Sequence, residues 1–203
     1  MRAVPAACVL AIALSSGAAS ADVLGISGLT VNPDPSVTSL DGPLSQSVLD
    51  ISGRSHFDVL GSTRNQVLRA GLGRDDLQVT GLSWDLTGTT LAGVPLSDLQ
   101  IAIYNADGDG VMFHPFVGMD FVGSAHAASG FYDLDAMGLD FALGDGDVYV
   151  ELFFTRPLTM TPREGIYEDG SLITLELTPL PAPGVLAPIG GVTLLASRRR
   201  RRA

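Results

Sequence analysis

The chain has 203 residues, with 22 acidic side chains against 12 basic ones and a net charge of −10. That length suits one domain with a sizeable core, and the acidic balance excludes a surface built to hold nucleic acid or anionic lipid. The single cysteine, Cys8, excludes an intramolecular disulfide framework.

The amino terminus reads as an export signal. Met1-Arg2 is a minimal positive start, Ala3 to Leu14 is apolar, and Ala19-Ser20-Ala21 is a small-x-small cleavage site. The expected signal peptide is therefore 1–21, with cleavage marked by Ala19 and Ala21 and the mature chain starting at Asp22. Cys8 precedes most of the apolar region, which argues against a lipid-modified cysteine. The expected domain, 22–178, contains all 22 acidic residues and six of the arginines, a net charge of −16, and no lysine. Such a surface suits high salt or divalent cations, and Asp-rich turns of a β protein account for at least half of the excess.

Period-two apolar runs dominate this segment and predict an all-β fold, a two-sheet antiparallel sandwich of about eight short strands with jelly-roll connections. In chain order, Leu24/Ile26 and Leu29/Val31 switch parity at Gly28. Asn32-Pro33-Asp34-Pro35 closes this run. Val48–Ile51, His56–Leu60 and Gln66–Leu68 are short strand candidates. Leu77 to Leu91 is the longest run. Leu77 and Val79 share one face and Leu82, Trp84 and Leu86 the other, so Gly81 marks a β-bulge. Leu99–Tyr104 alternates, Val117–Val122 is a further candidate, and Leu139–Leu143 alternates. Gly144-Asp145-Gly146-Asp147 then reads as a hairpin loop. Val148, Val150, Leu152 and Phe154 share a face, as do Ile173, Leu175 and Leu177 after the turn Glu168-Asp169-Gly170.

The sharpest local motif is Asn105-Ala106-Asp107-Gly108-Asp109-Gly110. Oxygen side chains at positions 1, 3 and 5 with Gly at 6 match the opening of an EF-hand-type loop, so Asn105, Asp107 and Asp109 are the candidate ligands for calcium, with the Val111 carbonyl at position 7. Position 12 is Phe116 rather than a bidentate Glu, and Asp120 is the nearest substitute. The plainer alternative, a Gly-Asp turn between Tyr104 and Val111, is the one these residues favour. Asp133/Asp135 and Asp145/Asp147 are weaker pairs that share a face only if extended. His56, His114 and His126 lack metal-ligand spacing, so zinc is not expected. No Gly-x-Ser-x-Gly elbow occurs, and 22 carboxylates make acid pairs uninformative. No catalytic residue is therefore assigned. Trp84 reads as core. Phe113, Phe116, Phe121, Phe131 and Tyr132 read either as a binding rim or as the base of the sandwich.

The tail is tripartite. The segment 179–184 is a stiff linker containing Pro181, Ala182 and Pro183. The segment 185–203 begins with twelve uncharged residues, Val185 to Ala196, and ends in Arg198, Arg199, Arg200, Arg201 and Arg202. Twelve residues make a helix of about 18 Å, short of a hydrocarbon core of about 30 Å. It suits transient rather than permanent membrane association, with the arginines on the cytoplasmic side. This order resembles the PEP-CTERM class of bacterial carboxy-terminal sorting signals, in its Pro-Ala-Pro variant. The resemblance covers about the last 25 residues. It implies processing by an exosortase-like enzyme and delivery to the cell surface or extracellular matrix. Val79-Thr80-Gly81-Leu82-Ser83-Trp84-Asp85 and Leu96-Ser97-Asp98-Leu99-Gln100-Ile101 are similar to uncharacterised β-sandwich domains of other PEP-CTERM proteins, some of them galactose-binding-like. The expected function is structural or adhesive and non-enzymatic. The alternatives are a carbohydrate-binding module for surface exopolysaccharide and, last, a secreted hydrolase.

Overall fold

A computed structural model describes residues 23–29, 36–39, 45–91, 93–156 and 165–180. The expected signal peptide, the Asn32–Pro35 turn, the Pro181–Pro183 motif and the arginine block lie outside the described residues. The described chain is all-β, with two sheets packed face to face.

The first sheet has the order β1 (Val23–Ile26), β8 (Gly110–Phe113), β7 (Leu99–Tyr104), β12 (Asp147–Phe154), β5 (Val67–Gly71) and β2 (Ser36–Ser39). All neighbours are antiparallel except β2, which runs parallel to β5. The second sheet is organised by β6 (Leu77–Thr90), fourteen unbroken residues. One edge of β6 pairs with β14 (Leu172–Pro179) and, further along, β13 (Gly165–Tyr167). The other pairs in turn with β9 (Ser124–Ala128), β10 (Tyr132–Asp133) and β11 (Phe141–Ala142). β3 (Gln46–Asp50) and β4 (Ser55–His56) line the far side of β14 and β13.

These short strands are pieces of longer rows. β13 and β14 run in one direction along β6 and are interrupted only by the 168–171 turn. β3 and β4 are interrupted beside it by 51–54, and the two turns are bonded together, Ile51 N–H to Ser171 O at 3.0 Å and Gly53 N–H to Tyr167 O at 2.7 Å. β9, β10 and β11 likewise form one row, broken by 129–131 and by the turn of helix α1 (Leu134–Met137). The rows pair in a nested way: β3/β4 with β13/β14, β5 with β12, β6 with β9–β11, and β7 with β8.

The parity change at Gly81 is a register shift. Glu176 faces Gly81 and the next residue, Leu177, faces Val79, leaving Thr80 as the extra residue. A Cβ at 81 would stand 2.2 Å from the Phe131 ring, so a larger residue there would require that half-exposed ring to shift. The shift lets Leu77 and Val79 before it, and Leu82, Trp84 and Leu86 after it, all reach the core between the sheets. Ile101 and Ile103, Val148 to Phe154 at alternate positions, and Ile173, Leu175 and Leu177 meet them there. Trp84 is stacked between Phe113 and Tyr132, at ring-centroid distances of 4.5 and 5.1 Å.

Four expectations need correction. Val117–Val122 forms no strand but a loop, because Met119 N–H turns back to Phe116 O and Gly118 sits at φ 75°. Residues 57–60, expected in a strand, lie in a loop. Gly144–Asp147 is not a hairpin: β11 belongs to the second sheet and β12 to the first, so the loop crosses between sheets. Asp133 and Asp135 do not share an extended face, since Asp133 caps α1 by accepting from Ala136 N–H. No helix among the described residues is long and apolar enough to cross a membrane.

The two ends of the sandwich differ. At one end, Leu72 N–H donates to Gly146 O, Leu143 N–H to Leu77 O, and Leu180 N–H, from the last described residue, to Asp76 O. At the other end, Leu96 N–H donates to Phe121 O and Thr155 N–H to Asp98 O.

Candidate functional site

The 105–110 motif is the turn joining β7 to β8, at the same end as Leu72, Leu143 and Leu180. Asn105 is 6% exposed and both ends of its amide are hydrogen-bonded. Oδ1 accepts from Asp107 N–H and Asp109 N–H, both at 2.9 Å, and Nδ2 donates to Ala142 O at 2.8 Å. Asp109 Oδ1 accepts from Gly28 N–H at 3.3 Å, while Leu29 N–H donates to Gly108 O. Gly108, at φ 80°, lies so close to Leu29 that a Cβ would stand 2.1 Å from its carbonyl oxygen. The Asn105 side chain thus replaces backbone partners that the tight turn removes. A cation here would have to displace two N–H groups from Asn105. Phe116 is in the core, and Asp120 accepts from Ser97 Oγ at the opposite end, so neither completes this loop. Among the described residues no group of three or more His, Cys, Asp or Glu could hold a metal ion.

Asn105→Ala is expected to destabilise the protein by about 1–3 kcal/mol, the cost of losing the hydrogen bonds that its side chain makes to the turn and to Ala142 O. Urea denaturation with calcium and with a chelator should give the same loss. A loss confined to the calcium series would instead make Asn105 a ligand.

Asp145 Oδ1 accepts from Asp147 N–H at 3.0 Å, and the Asp147 carboxylate is paired with Arg69 across β5, so these two also serve the fold. His114 follows β8 and is half-buried. His126 is exposed on β9, its Nε2 2.6 Å from Asp85. The aromatics divide. Phe113 and Phe116 are buried in the core and Tyr132 packs partly against it, whereas Phe121 is 50% and Phe131 54% exposed.

One buried polar group, a carboxylate, was not visible in the motifs. Glu151, 1% exposed, lies in the middle of β12 on the face directed away from the core between the sheets. Oε1 accepts from Gly61 N–H at 2.7 Å and Asn65 Nδ2 at 2.6 Å, and Oε2 from Tyr104 OH at 3.2 Å. Asn65 also binds Asp58 N–H and Val59 O, so the carboxylate holds the whole 58–65 loop onto the sheet. Burial pushes the Glu151 carboxyl above its ordinary pKa, against the three donors that pull it down. The same face carries a second apolar cluster of Val67, Ala102, Tyr104, Tyr149 and Phe153. The signal in the sequence is a lone Glu inside the run Val148-Tyr149-Val150-Glu151-Leu152-Phe153-Phe154, since a charge in an otherwise apolar strand must be paired.

His56 is the second such group. It is fully buried between the rings of Phe154 and Tyr167, at 5.2 and 4.9 Å, and its Nε2 meets Gln100 O at 3.3 Å. Burial lowers its pKa to about 3. A neutral ring held this way is a core residue rather than an acid–base group at neutral pH.

Among the described residues, the Glu151 carboxylate and the Asn65 and Asn105 amides are engaged with loops and turns. No family model matches the chain, and no curated protein matches it.

Proposed function

We propose that this chain is an exported bacterial surface or extracellular-matrix protein, structural or adhesive rather than enzymatic, whose single domain is a jelly roll. The observation that carries the first part is the tail: Pro181-Ala182-Pro183, the uncharged run 185–196 and the block Arg198–Arg202 in that order, matched by an export signal at 1–21. An exosortase-like enzyme is the proposed processing partner. Support for the jelly roll comes from the nested row pairings, in which an eight-row antiparallel hairpin is folded over so that alternate row pairs fall into opposite sheets. The non-enzymatic reading draws on polar side chains already consumed by loops and turns.

The test is fractionation of the producing cell with mass spectrometry of both ends. The expected species starts at Asp22, lies outside the cytoplasm and has lost the arginine block. A variant lacking Arg198–Arg202 is expected to be retained at the membrane. Intact chain in the cytoplasm would overturn the proposal.

A second reading, binding of surface polysaccharide, draws on Phe131. Its exposed ring rests on Gly81 beside Glu176, an arrangement suited to stacking on a sugar face. It requires saturable polysaccharide binding that disappears in Phe131→Ala.

A further inference from the structure

We propose that the core beside His56 is an internal water site, where one water molecule donates to His56 Nδ1 and accepts from Tyr167 OH. The site concerns how the domain is held together and stands apart from the export reading.

Among the described residues, three buried side-chain atoms have no hydrogen-bond partner: Ser55 Oγ, His56 Nδ1 and Tyr167 OH. Native cores pair nearly all such atoms, with protein or with ordered water. Two of the three stand together. β4 and β13 pair with His56 opposite Gly165, and Tyr167 is two residues beyond Gly165, so His56 and Tyr167 share a face of the sheet. Their ring centroids are 4.9 Å apart, and both residues are 0% exposed. Ser55 precedes His56, so alternation sends its Oγ to the other face of β4, away from this pair.

The chemistry of each atom follows from its surroundings. His56 Nε2 meets Gln100 O at 3.3 Å, and a carbonyl oxygen only accepts, so the ring proton sits on Nε2. The ring is neutral, because burial holds its pKa at about 3. Nδ1 is therefore a bare acceptor that calls for a donor. Tyr167 OH can donate and accept. The rings lie beside one another, tilted at 51°, and no hydrogen bond joins the two atoms. Phe154 and Phe116 flank the pair, at 5.2 Å from His56 and 6.3 Å from Tyr167, and offer neither atom a partner. A Cβ on Gly165 would stand 2.6 Å from Leu99 and 3.6 Å from Nδ1, so glycine keeps a side chain out of the space facing that atom.

A water molecule satisfies both atoms at once. A metal ion would need more ligands, and no group of three or more His, Cys, Asp or Glu occurs among the described residues. The water extends a polar link from Gln100 in the first sheet, through the His56 ring, to Tyr167 in the second. A fully satisfied link of this kind favours one packing of the two sheets over others.

A crystal structure of the full chain, magnetic relaxation dispersion of its solvent, and urea denaturation of Tyr167→Phe test this. The expected structure has a water within hydrogen-bond distance of both atoms, and the variant should hold one long-lived water fewer. The sign of the stability change is diagnostic. Removing a hydroxyl that has no partner relieves a buried polar group, so Tyr167→Phe would then match or exceed wild type. Removing one that holds the water strands Nδ1, and the folding equilibrium constant should fall by about fivefold. In a His56→Phe background the same substitution should lose that penalty, because the two side chains share one partner. Tyr167→Phe at least as stable as wild type would overturn the proposal, as would additive effects of the two substitutions. A direct bond between Tyr167 OH and Nδ1 in the crystal, or a donor from residues 157–164 on Nδ1, would also overturn it. The wild-type structure decides the matter even where a variant does not fold.

Discussion

Replacing Glu151 with Ala is expected to destabilise the protein by about 2–5 kcal/mol, through the cost of stranding buried donors. The substitution leaves Gly61 N–H and Tyr104 OH without that acceptor and Asn65 Nδ2 with Val59 O alone. It also removes one tie of the 58–65 loop to the sheet, leaving Phe154 N–H to Asp58 O, and loosens the cover over Tyr104. Glu151→Gln should be far milder, since an amide oxygen can still accept from Gly61 and Asn65 while Tyr104 OH turns to accept from the new NH2. The carboxyl's raised pKa adds a signature in pH. Its folded-state value lies above the ordinary 4.5, so between the two values the native state binds more protons than the unfolded chain. Glu151 therefore supports folding at acid pH, and that support is lost as pH rises through the folded value. Chemical denaturation of wild type, Gln and Ala variants from pH 4 upward checks both parts. Equal losses in Gln and Ala would show that the hydrogen bonds are not what matters.

His56 has the opposite sign. Burial holds its pKa at about 3 against an ordinary 6.5, so between those values the unfolded chain takes a proton that the native core refuses. Stability is expected to fall by about 1.4 kcal/mol for each unit that pH drops within this window, from this one group. Over the full window the loss reaches about 4–5 kcal/mol, a large part of a typical domain's stability. His56→Phe keeps a ring between Phe154 and Tyr167, gives up the bond to Gln100 O and removes the titration. The variant should be less stable than wild type at pH 7 and lose less on acidification. A difference between the two proteins that stays constant from pH 7 to pH 4 would contradict this account.

What could be read in advance follows from which effects are local. Val148, Val150, Leu152 and Phe154 announce the core face of β12 because alternation is a property of the strand itself. On its other face Glu151 is bonded to a loop more than eighty residues earlier, and Tyr149 and Phe153 cluster with Val67, Ala102 and Tyr104, none of which a window around β12 contains. The Gly81 bulge was legible because it reverses parity within one run. The four-residue interruption between β13 and β14 was legible only as a turn, and its place in a continued row depends on β6. Val117–Val122 looked like a strand from its apolar residues, but Phe116 goes to the core and the rest closes an end of the sandwich. The Asn105 motif carried two readings because the same oxygens that could ligand a cation can also accept from N–H groups in a tight turn. Packing against Gly28, Leu29 and Ala142 employs Asn105 and Asp109 in the second way.

The position of β14 has a consequence for the order in which the protein can be assembled. It is the last strand among the described residues, yet it lies between β3 and β6 rather than at an edge. A chain emerging amino terminus first, from a ribosome or a translocation channel, presents β3 and β6 long before the strand that must separate them. Until Leu172–Pro179 is clear, one side of β6 lacks its longest partner and the apolar faces of Leu82, Trp84 and Leu86 have no complete cover. Such a half-built sheet invites wrong pairing and aggregation if released. Completion of the fold is thereby timed to the final residues of the domain, so a prematurely terminated chain should be cleared or aggregate rather than persist as a smaller sandwich.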